Sequence, residues 1–114
     1  MSRKSILIAA FALTLCLSSP VARASVLGKH GITLTWTAST TPGFAVYRIY
    51  RGTASGGPYT LVGITMNLYD QTAMHWEDAD EHLIPRATYY YVVTAADWTN
   101  AESGYSNEAS AVWP

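Results

Sequence analysis

Apolar and polar residues alternate along most of the chain beyond its N-terminal segment, which is the pattern expected of half-buried β-strands. In residues 32–37, Ile32, Leu34 and Trp36 share one face and three threonines occupy the other. The same criterion predicts strands over residues 44–51, 59–64, 89–95 and 106–113. Residues 67–78 carry an ambiguous pattern.

Turn-forming residues separate these segments. Three glycines lie between residues 52 and 58, and a polar turn runs from residue 97 to residue 104. Beyond the N-terminal segment, no stretch shows a helical stripe of useful length. Short strands joined by such turns predict an all-β sandwich or barrel.

Residues 1–24 resemble a signal peptide. Arg3 and Lys4 provide the positive start, and residues 6–17 form a 12-residue apolar run. The sequence Ala22-Arg23-Ala24 then places small residues at the positions that signal peptidase requires, which predicts cleavage before Ser25. We therefore expect two regions, a signal peptide (1–24) and a folded domain (25–114).

An uncleaved membrane anchor and a lipoprotein are the alternatives for this segment. The apolar run is too short for a helix that spans a hydrocarbon core of about 30 Å. A lipoprotein would use Cys16, but the bulky Leu15 precedes it where a small residue is usual. We expect no membrane span after cleavage.

Cleavage would change the composition. Three of the 7 basic residues and the single cysteine would be lost while all 8 acids remain, so the formal charge would become −4. The domain would have no disulfide and no thiolate metal ligand. An acidic domain of this size is not expected to bind nucleic acid.

Four motifs in order make the chain similar to fibronectin type III domains of the bacterial extracellular type. They are the apolar-x-apolar-x-Trp pattern of residues 32–36, Tyr-Arg-Ile-Tyr-Arg-Gly at 47–52, Leu-x-Pro-x-x-x-Tyr at 83–89, and Glu-Ser-Gly-Tyr-Ser-Asn at 102–107. Together they cover nearly all of 31–113. Ala87 and Arg86 depart from the residues that are common in the third motif.

This resemblance implies an immunoglobulin-like sandwich of about seven strands. Trp36 would be the core tryptophan, and Tyr89 would be the tyrosine corner whose hydroxyl bonds to nearby backbone. Trp36 and Tyr89 would then meet inside the sandwich from opposite sheets. The residues expected to be structural are Trp36, Tyr47, Leu83, Tyr89 and Tyr91.

The first strand of the family is expected to be short or missing here. Only six residues, Ser25 to His30, lie between the predicted cleavage site and the start of the family match at residue 31, so that strand A would cover about residues 25–27. One flank of the 32–37 strand would then be bare or completed by edge-strand pairing with another chain.

The sequence gives little support for catalysis or metal binding. His30, His75 and His82 form no metal-binding motif, and we expect the acidic stretch around residues 77–81 to be a solvated loop. A calcium site in the turn at 97–102 is the alternative to ordinary turn chemistry. No nucleophile elbow or phosphate loop is present, so we predict no enzyme activity, cofactor or metal.

Surface aromatic residues are the candidates for binding. If Tyr47, Ile49, Tyr89, Tyr91 and Val93 face inward, alternation sends their neighbours outward. The resulting binding candidates are Arg48, Tyr50, Tyr90 and Val92 on two neighbouring strands, with Trp98 at the following turn. Tyrosine, tryptophan and arginine are enriched in binding surfaces.

We therefore expect a secreted, extracellular or periplasmic, non-catalytic interaction module. It would bind an unknown protein or surface partner through an exposed sheet face or an open strand edge. The alternatives are an accessory module that contacts polysaccharide through its aromatic rings and a structural spacer without its own ligand.

Overall fold

The structure, a computed structural model, describes residues 21–26, 31–39, 44–66 and 73–114. These residues form seven β-strands: β1 (Ala22–Val26), β2 (Ile32–Thr37), β3 (Phe44–Gly52), β4 (Thr60–Met66), β5 (Ala73–Asp78), β6 (Thr88–Asp97) and β7 (Ala109–Val112). They build two antiparallel sheets with the strand orders β1-β2-β5 and β4-β3-β6-β7. The predicted all-β sandwich of about seven strands is confirmed.

Several expectations concern residues outside the described part of the chain. They are the charged and apolar part of the signal segment (1–20), His30, and the stretches 40–43 and 67–72. Within the described residues, no helix has the length and apolar character needed to cross a membrane.

The core lies between the two sheets and is rich in aromatic rings. Trp36 of β2 meets Tyr47 of β3 edge to face, with ring centroids 5.2 Å apart and planes at 70°. Ile32, Leu34 and Ile49 are fully buried around this pair. Edge-to-face packing adds about 0.5–1.5 kcal/mol to the hydrophobic gain from burial, which matters in a domain of this size.

Tyr89 has the geometry of a tyrosine corner. Its ring is buried on β6, in the sheet opposite Trp36, and its hydroxyl accepts a hydrogen bond of 2.8 Å from the backbone N–H of Ile84. Leu83 is buried beside this turn. The bond therefore fixes the connection that leads from β5 into β6.

The first strand differs from the expectation. β1 is present as a strand that begins at Ala22 instead of residue 25. It pairs with β2 along its whole length, from Val26 opposite Ile32 to Ala22 opposite Trp36. Since β5 pairs with the other side of β2, the expected bare flank is absent from the described chain. The small residues Ala22 and Ala24 resemble a cleavage site, but they also suit a strand that packs against the core. This structural role was not predicted from the sequence.

The expected acidic loop was also wrong in part. Residues 75–78 belong to β5, and Asp78 is 3% exposed instead of solvated. Asp78 Oδ2 lies 2.7 Å from Arg51 Nη1 and accepts a hydrogen bond of 2.6 Å from the Tyr91 hydroxyl. A buried carboxylate is tolerated here because a cation and a hydroxyl both bind it.

Candidate functional site

An open hollow with a volume of about 380 Å³ lies on the outer face of the four-stranded sheet. The residues that line it are Tyr50, Thr94, Glu102, Ser103, Gly104 and Tyr105. We call the group Arg48, Tyr50, Tyr59, Glu102 and Tyr105 the tyrosine patch.

Strand register places the first members of the patch on one face. Tyr50 lies opposite Val92 and Arg48 lies opposite Thr94 in the β3–β6 ladder. Residues directly opposite each other in an antiparallel pair project to the same side. The inward positions of Tyr47 and Ile49 therefore send Arg48 and Tyr50 to the outer face.

The segment after β6 returns along its edge and completes the hollow. The hydroxyls of Ser103 and Ser106 accept hydrogen bonds from the backbone N–H groups of Ala95 and Val93, at 3.0 Å and 2.9 Å. The N–H groups of these serines bond in turn to the carbonyls of the same two residues. This pairing holds Glu102 and Tyr105 beside β6.

Glu102 is the polar centre of the site. Its Oε2 accepts hydrogen bonds of 2.5 Å from the hydroxyls of Tyr50 and Thr94. Its Oε1 lies 3.3 Å from Arg48 Nη1, and Arg48 Nη2 donates to Asn100 Oδ1 at 2.6 Å. Burial and the hydrogen bond to this carboxylate raise the pKa of Tyr50 to about 12, so its hydroxyl remains a donor at neutral pH.

Three tyrosine rings form a row beside this centre. Tyr105 contacts Tyr50 with centroids 5.5 Å apart and Tyr59 with centroids 5.3 Å apart, both edge to face. Tyr105 is nevertheless 45% exposed. Its ring is therefore held between two neighbours while a large part of it faces solvent.

Glu108 fixes the far end of the row. The hydroxyl of Tyr59 donates a short hydrogen bond to Glu108 Oε1, and Gly56 N–H and Ser55 Oγ donate to the same carboxylate at 2.7 Å. Burial alone would raise the pKa of Glu108, but these three hydrogen bonds outweigh it and lower the pKa below its ordinary value.

A tight turn after β6 carries Trp98. Asp97 Oδ1 accepts hydrogen bonds from Thr99 N–H at 2.9 Å and from Ala101 N–H at 3.0 Å, and hydrogen bonding from Thr99 is the main cause that lowers the Asp97 pKa. Trp98 is 73% exposed at this turn. The turn uses the Asp97 carboxylate for its own backbone, which favours turn chemistry over the calcium alternative.

The structure places the predicted binding residues in different environments. Arg48 and Tyr50 lie in the tyrosine patch and Trp98 is exposed, whereas Tyr90 is half-buried. The prediction that Val92 is exposed was wrong, because Val92 is 2% exposed. Val92 does face outward, but it lies opposite Tyr50 on the face where the Tyr50 and Tyr105 rings pack together. Strand alternation predicts the direction of a side chain and does not show whether other residues cover it.

Sequence reasoning did not select Glu102, Tyr105 and Tyr59, which the structure brings to the hollow or to the row of rings beside it. Glu102 and Tyr105 belong to the fourth family motif, so that motif marks one wall of the hollow as well as the start of a strand. Tyr59 gave no signal, because its role depends on a loop and on Glu108, which lies 49 residues further along the chain.

The hollow presents hydrogen-bonding groups and aromatic rings. Among the lining residues, Glu102 supplies the carboxylate, and that carboxylate is paired with Arg48. Glycoside hydrolysis uses two carboxyl groups that flank the bond to be cleaved. In the part of the chain that the structure describes, no group of three or more His, Cys, Asp or Glu residues is placed to hold a metal ion.

A solved structure decides the family. The Fn3-like protein from Clostridium thermocellum is 31% identical to this chain, with a TM-score of 0.61, over 82% of this chain and 90% of its own. The chain belongs to the fibronectin type III-like (Fn3-like) family. No protein-family model matches this Fn3-like chain, and no curated protein matches it significantly.

A second solved structure places a similar fold inside a larger protein. The β-1,2-glucanase from Parabacteroides distasonis is 25% identical to this Fn3-like chain, with a TM-score of 0.68 over 88% of it. The match covers 13% of the glucanase chain. The likeness therefore concerns a small part of that protein.

Proposed function

We propose that this Fn3-like chain is a secreted, non-catalytic interaction module that binds a protein partner through the tyrosine patch. The observation that carries the proposal is Tyr105, which is 45% exposed yet held between two other tyrosine rings. A ring that is already ordered loses little conformational entropy when a partner covers it.

The electrostatics of the patch agree with this role. The charges of Arg48 and Glu102 compensate each other, so a partner meets a largely neutral surface of rings, hydroxyls and the Asn100 amide. Trp98 is exposed in the same turn as Asn100, which accepts a hydrogen bond from Arg48. Tyrosine, tryptophan and arginine are enriched among binding hot spots. Secretion is supported by the signal-like residues 1–24.

Affinity capture with matched variants tests this proposal. The protein is immobilised and exposed to the envelope and medium fractions of the organism that encodes it, and retained proteins are quantified by mass spectrometry. We expect a partner to be lost from the Trp98→Ala/Tyr105→Ala variant. The control His75→Ala, exposed on β5 of the opposite sheet, should retain it. Identical retention by all three proteins would contradict the proposal.

A carbohydrate-contacting accessory module is the second candidate, favoured by the likeness to part of a β-1,2-glucanase. Exposed aromatic rings stack on sugars, and a carboxylate such as Glu102 accepts hydrogen bonds from sugar hydroxyls. Electrophoresis through gels that contain soluble β-1,2-glucan separates the candidates. Retardation that disappears in Trp98→Ala would favour sugar contact. If neither experiment detects a ligand, the remaining alternative is a structural spacer without its own ligand.

A further inference from the structure

The first strand occupies a groove at the edge of the three-stranded sheet. In the β1–β2 ladder, Ala22 lies opposite Trp36 and Ala24 lies opposite Leu34. Ala22 is 2% exposed and Ala24 packs partly against the core, whereas Arg23 between them is exposed. The groove therefore accepts small side chains at two alternate positions and leaves the residue between them free to vary.

Asn107 closes the other side of this groove. Its Oδ1 accepts a hydrogen bond of 2.8 Å from the backbone N–H of Ala22, and its Nδ2 donates one of 3.0 Å to the Ala22 carbonyl. Both bonds are made to main-chain atoms. The carboxamide thus recognises an extended backbone and does not depend on the identity of the residue that supplies it.

The predicted signal-peptide cleavage falls inside this strand. Cleavage before Ser25 would remove residues 22–24, which are the partners of Leu34–Trp36 on β2. Ser25 and Val26 would stay in place opposite Thr33 and Ile32. The part of the groove beside Leu34–Trp36 would be empty. The edge of β2 and the Asn107 carboxamide would then lose their hydrogen-bond partners, which is unfavourable in a partly buried site.

We infer that the processed protein binds an extended segment of another polypeptide in the groove vacated by residues 22–24. The segment would add a strand to β2, place small residues such as alanine at the two inward positions, and bond through its backbone to Asn107. This inference rests on the proposed export, but it is independent of the tyrosine patch.

Peptide binding to the exported protein tests the inference. The full-length chain is expressed with its own N-terminus in a bacterial host, recovered after export, and its N-terminus is read from the intact mass. A capped peptide with the sequence of residues 20–24, Pro-Val-Ala-Arg-Ala, is titrated by calorimetry. Amide exchange of Leu34–Trp36 is followed in parallel.

We expect an intact mass that corresponds to an N-terminus at Ser25 and one-to-one binding of the peptide. The Leu34–Trp36 amides should exchange more slowly with the peptide than without it. A peptide with leucine in place of Ala22 should not bind, because the buried position has no room for it. Asn107→Ala should weaken binding about tenfold, the cost of roughly one net hydrogen bond. Thr53→Ala, in the exposed loop after β3, should bind like the wild type.

The outcomes separate this inference from the function proposed above. Absence of the protein from the exported fraction would overturn the proposed export, and with it this inference, but would leave the tyrosine patch untouched. An N-terminus at or before Ala22, or one at Ser25 without peptide binding, would overturn this inference alone. If the processed protein aggregates, recovery of a monomer when the peptide is present during refolding supports the inference, and no recovery counts against it.

Discussion

The hydroxyl of Tyr89 stabilises the fold through one backbone bond. It accepts a hydrogen bond from Ile84 N–H in the turn that precedes β6. The N–H group would have no equivalent partner if the hydroxyl were absent, and a polar group left unsatisfied in a partly buried site costs about 1–3 kcal/mol. The hydroxyl therefore adds its own contribution to that of the buried ring.

Tyr89→Phe tests this value. We expect the free energy of unfolding to fall by about 1–2 kcal/mol, because the ring stays in place and the acceptor is lost. Urea denaturation followed by tryptophan fluorescence measures the change. Tyr105→Phe, which keeps its two ring contacts, should change stability by less than about 0.5 kcal/mol. Equal losses in the two variants would contradict the role assigned to the Tyr89 hydroxyl.

Glu108 makes the stability of the loop before β4 dependent on pH. Hydrogen bonds from Gly56, Tyr59 and Ser55 hold its pKa below the ordinary value of 4.5 despite the opposing effect of burial. The unfolded chain therefore takes up a proton at a higher pH than the folded one. The stabilisation is complete above the ordinary pKa and is lost as the pH falls through the lowered pKa.

Glu108→Gln should lower the free energy of unfolding by about 1 kcal/mol at pH 7, a figure reduced for solvent screening at this partly exposed site. The difference from the wild type should shrink between pH 4.5 and more acidic conditions, since the wild-type carboxylate is then protonated as well. Urea denaturation across this range measures both effects. A constant difference at every pH would mean that the charge of Glu108 has no part in it, and Glu81→Gln in an exposed loop is the control.

At the scale of the elements, β4 and β5 belong to different sheets and meet at a glycine. A Cβ atom added to Gly63 would lie 2.8 Å from Trp76 Nε1 and closer still to the six-membered part of the indole ring. Gly63 faces the sandwich interior because it lies opposite the buried Ile49 in the β3–β4 ladder. The missing side chain therefore makes room for the Trp76 ring between the sheets.

Gly63→Ala should destabilise the domain by about 1–3 kcal/mol, the usual cost of an overpacked site. Combined with Trp76→Leu, the same change should cost much less, because the ring that it displaces is gone. A double-mutant cycle by urea denaturation measures this coupling. Additive effects of the two substitutions would show that Gly63 and the Trp76 ring are not energetically coupled.

The strands that were predicted well are those whose pattern reflects a single interface. Residues 32–37 alternate between core and surface, and the observed β2 has the same limits. β5 was ambiguous because a charged residue, Asp78, occupies one of its buried positions. Its partner Arg51 lies 27 residues earlier in the chain, and no local pattern indicates that the two side chains meet.

The candidate site was predictable to a similar extent. Alternation along β3 placed Arg48 and Tyr50 on the outer face, where the structure has them. The burial of Val92 and the position of Glu102 depend on a segment that folds back along β6 through the hydroxyls of Ser103 and Ser106. Such a contact is determined by tertiary packing, so neither propensity nor periodicity reports it.

At the scale of the whole molecule, polar contacts tie the two sheets together in addition to the core. Asp78 of β5 binds Arg51 of β3 and Tyr91 of β6, so one buried carboxylate on the three-stranded sheet holds two strands of the other. Burial and the hydrogen bond to Asp78 raise the pKa of Tyr91, which keeps its hydroxyl a donor at any physiological pH. Arg51 also reaches Asp80, whose side chain is 32% exposed.

The two aspartates allow a direct comparison of buried and exposed pairing with the same arginine. Asp78→Ala should cost about 3–5 kcal/mol, because it leaves the Arg51 charge and the Tyr91 hydroxyl without their partner inside the sandwich. Asp80→Ala should cost much less, since water replaces an exposed partner. Urea denaturation measures both, with Asp78→Asn expected between them because its carbonyl oxygen still accepts one hydrogen bond. If Asp78→Ala were no less stable than Asp80→Ala, burial would add nothing to the pairing with Arg51, and the buried carboxylate would have no special part in holding the two sheets together.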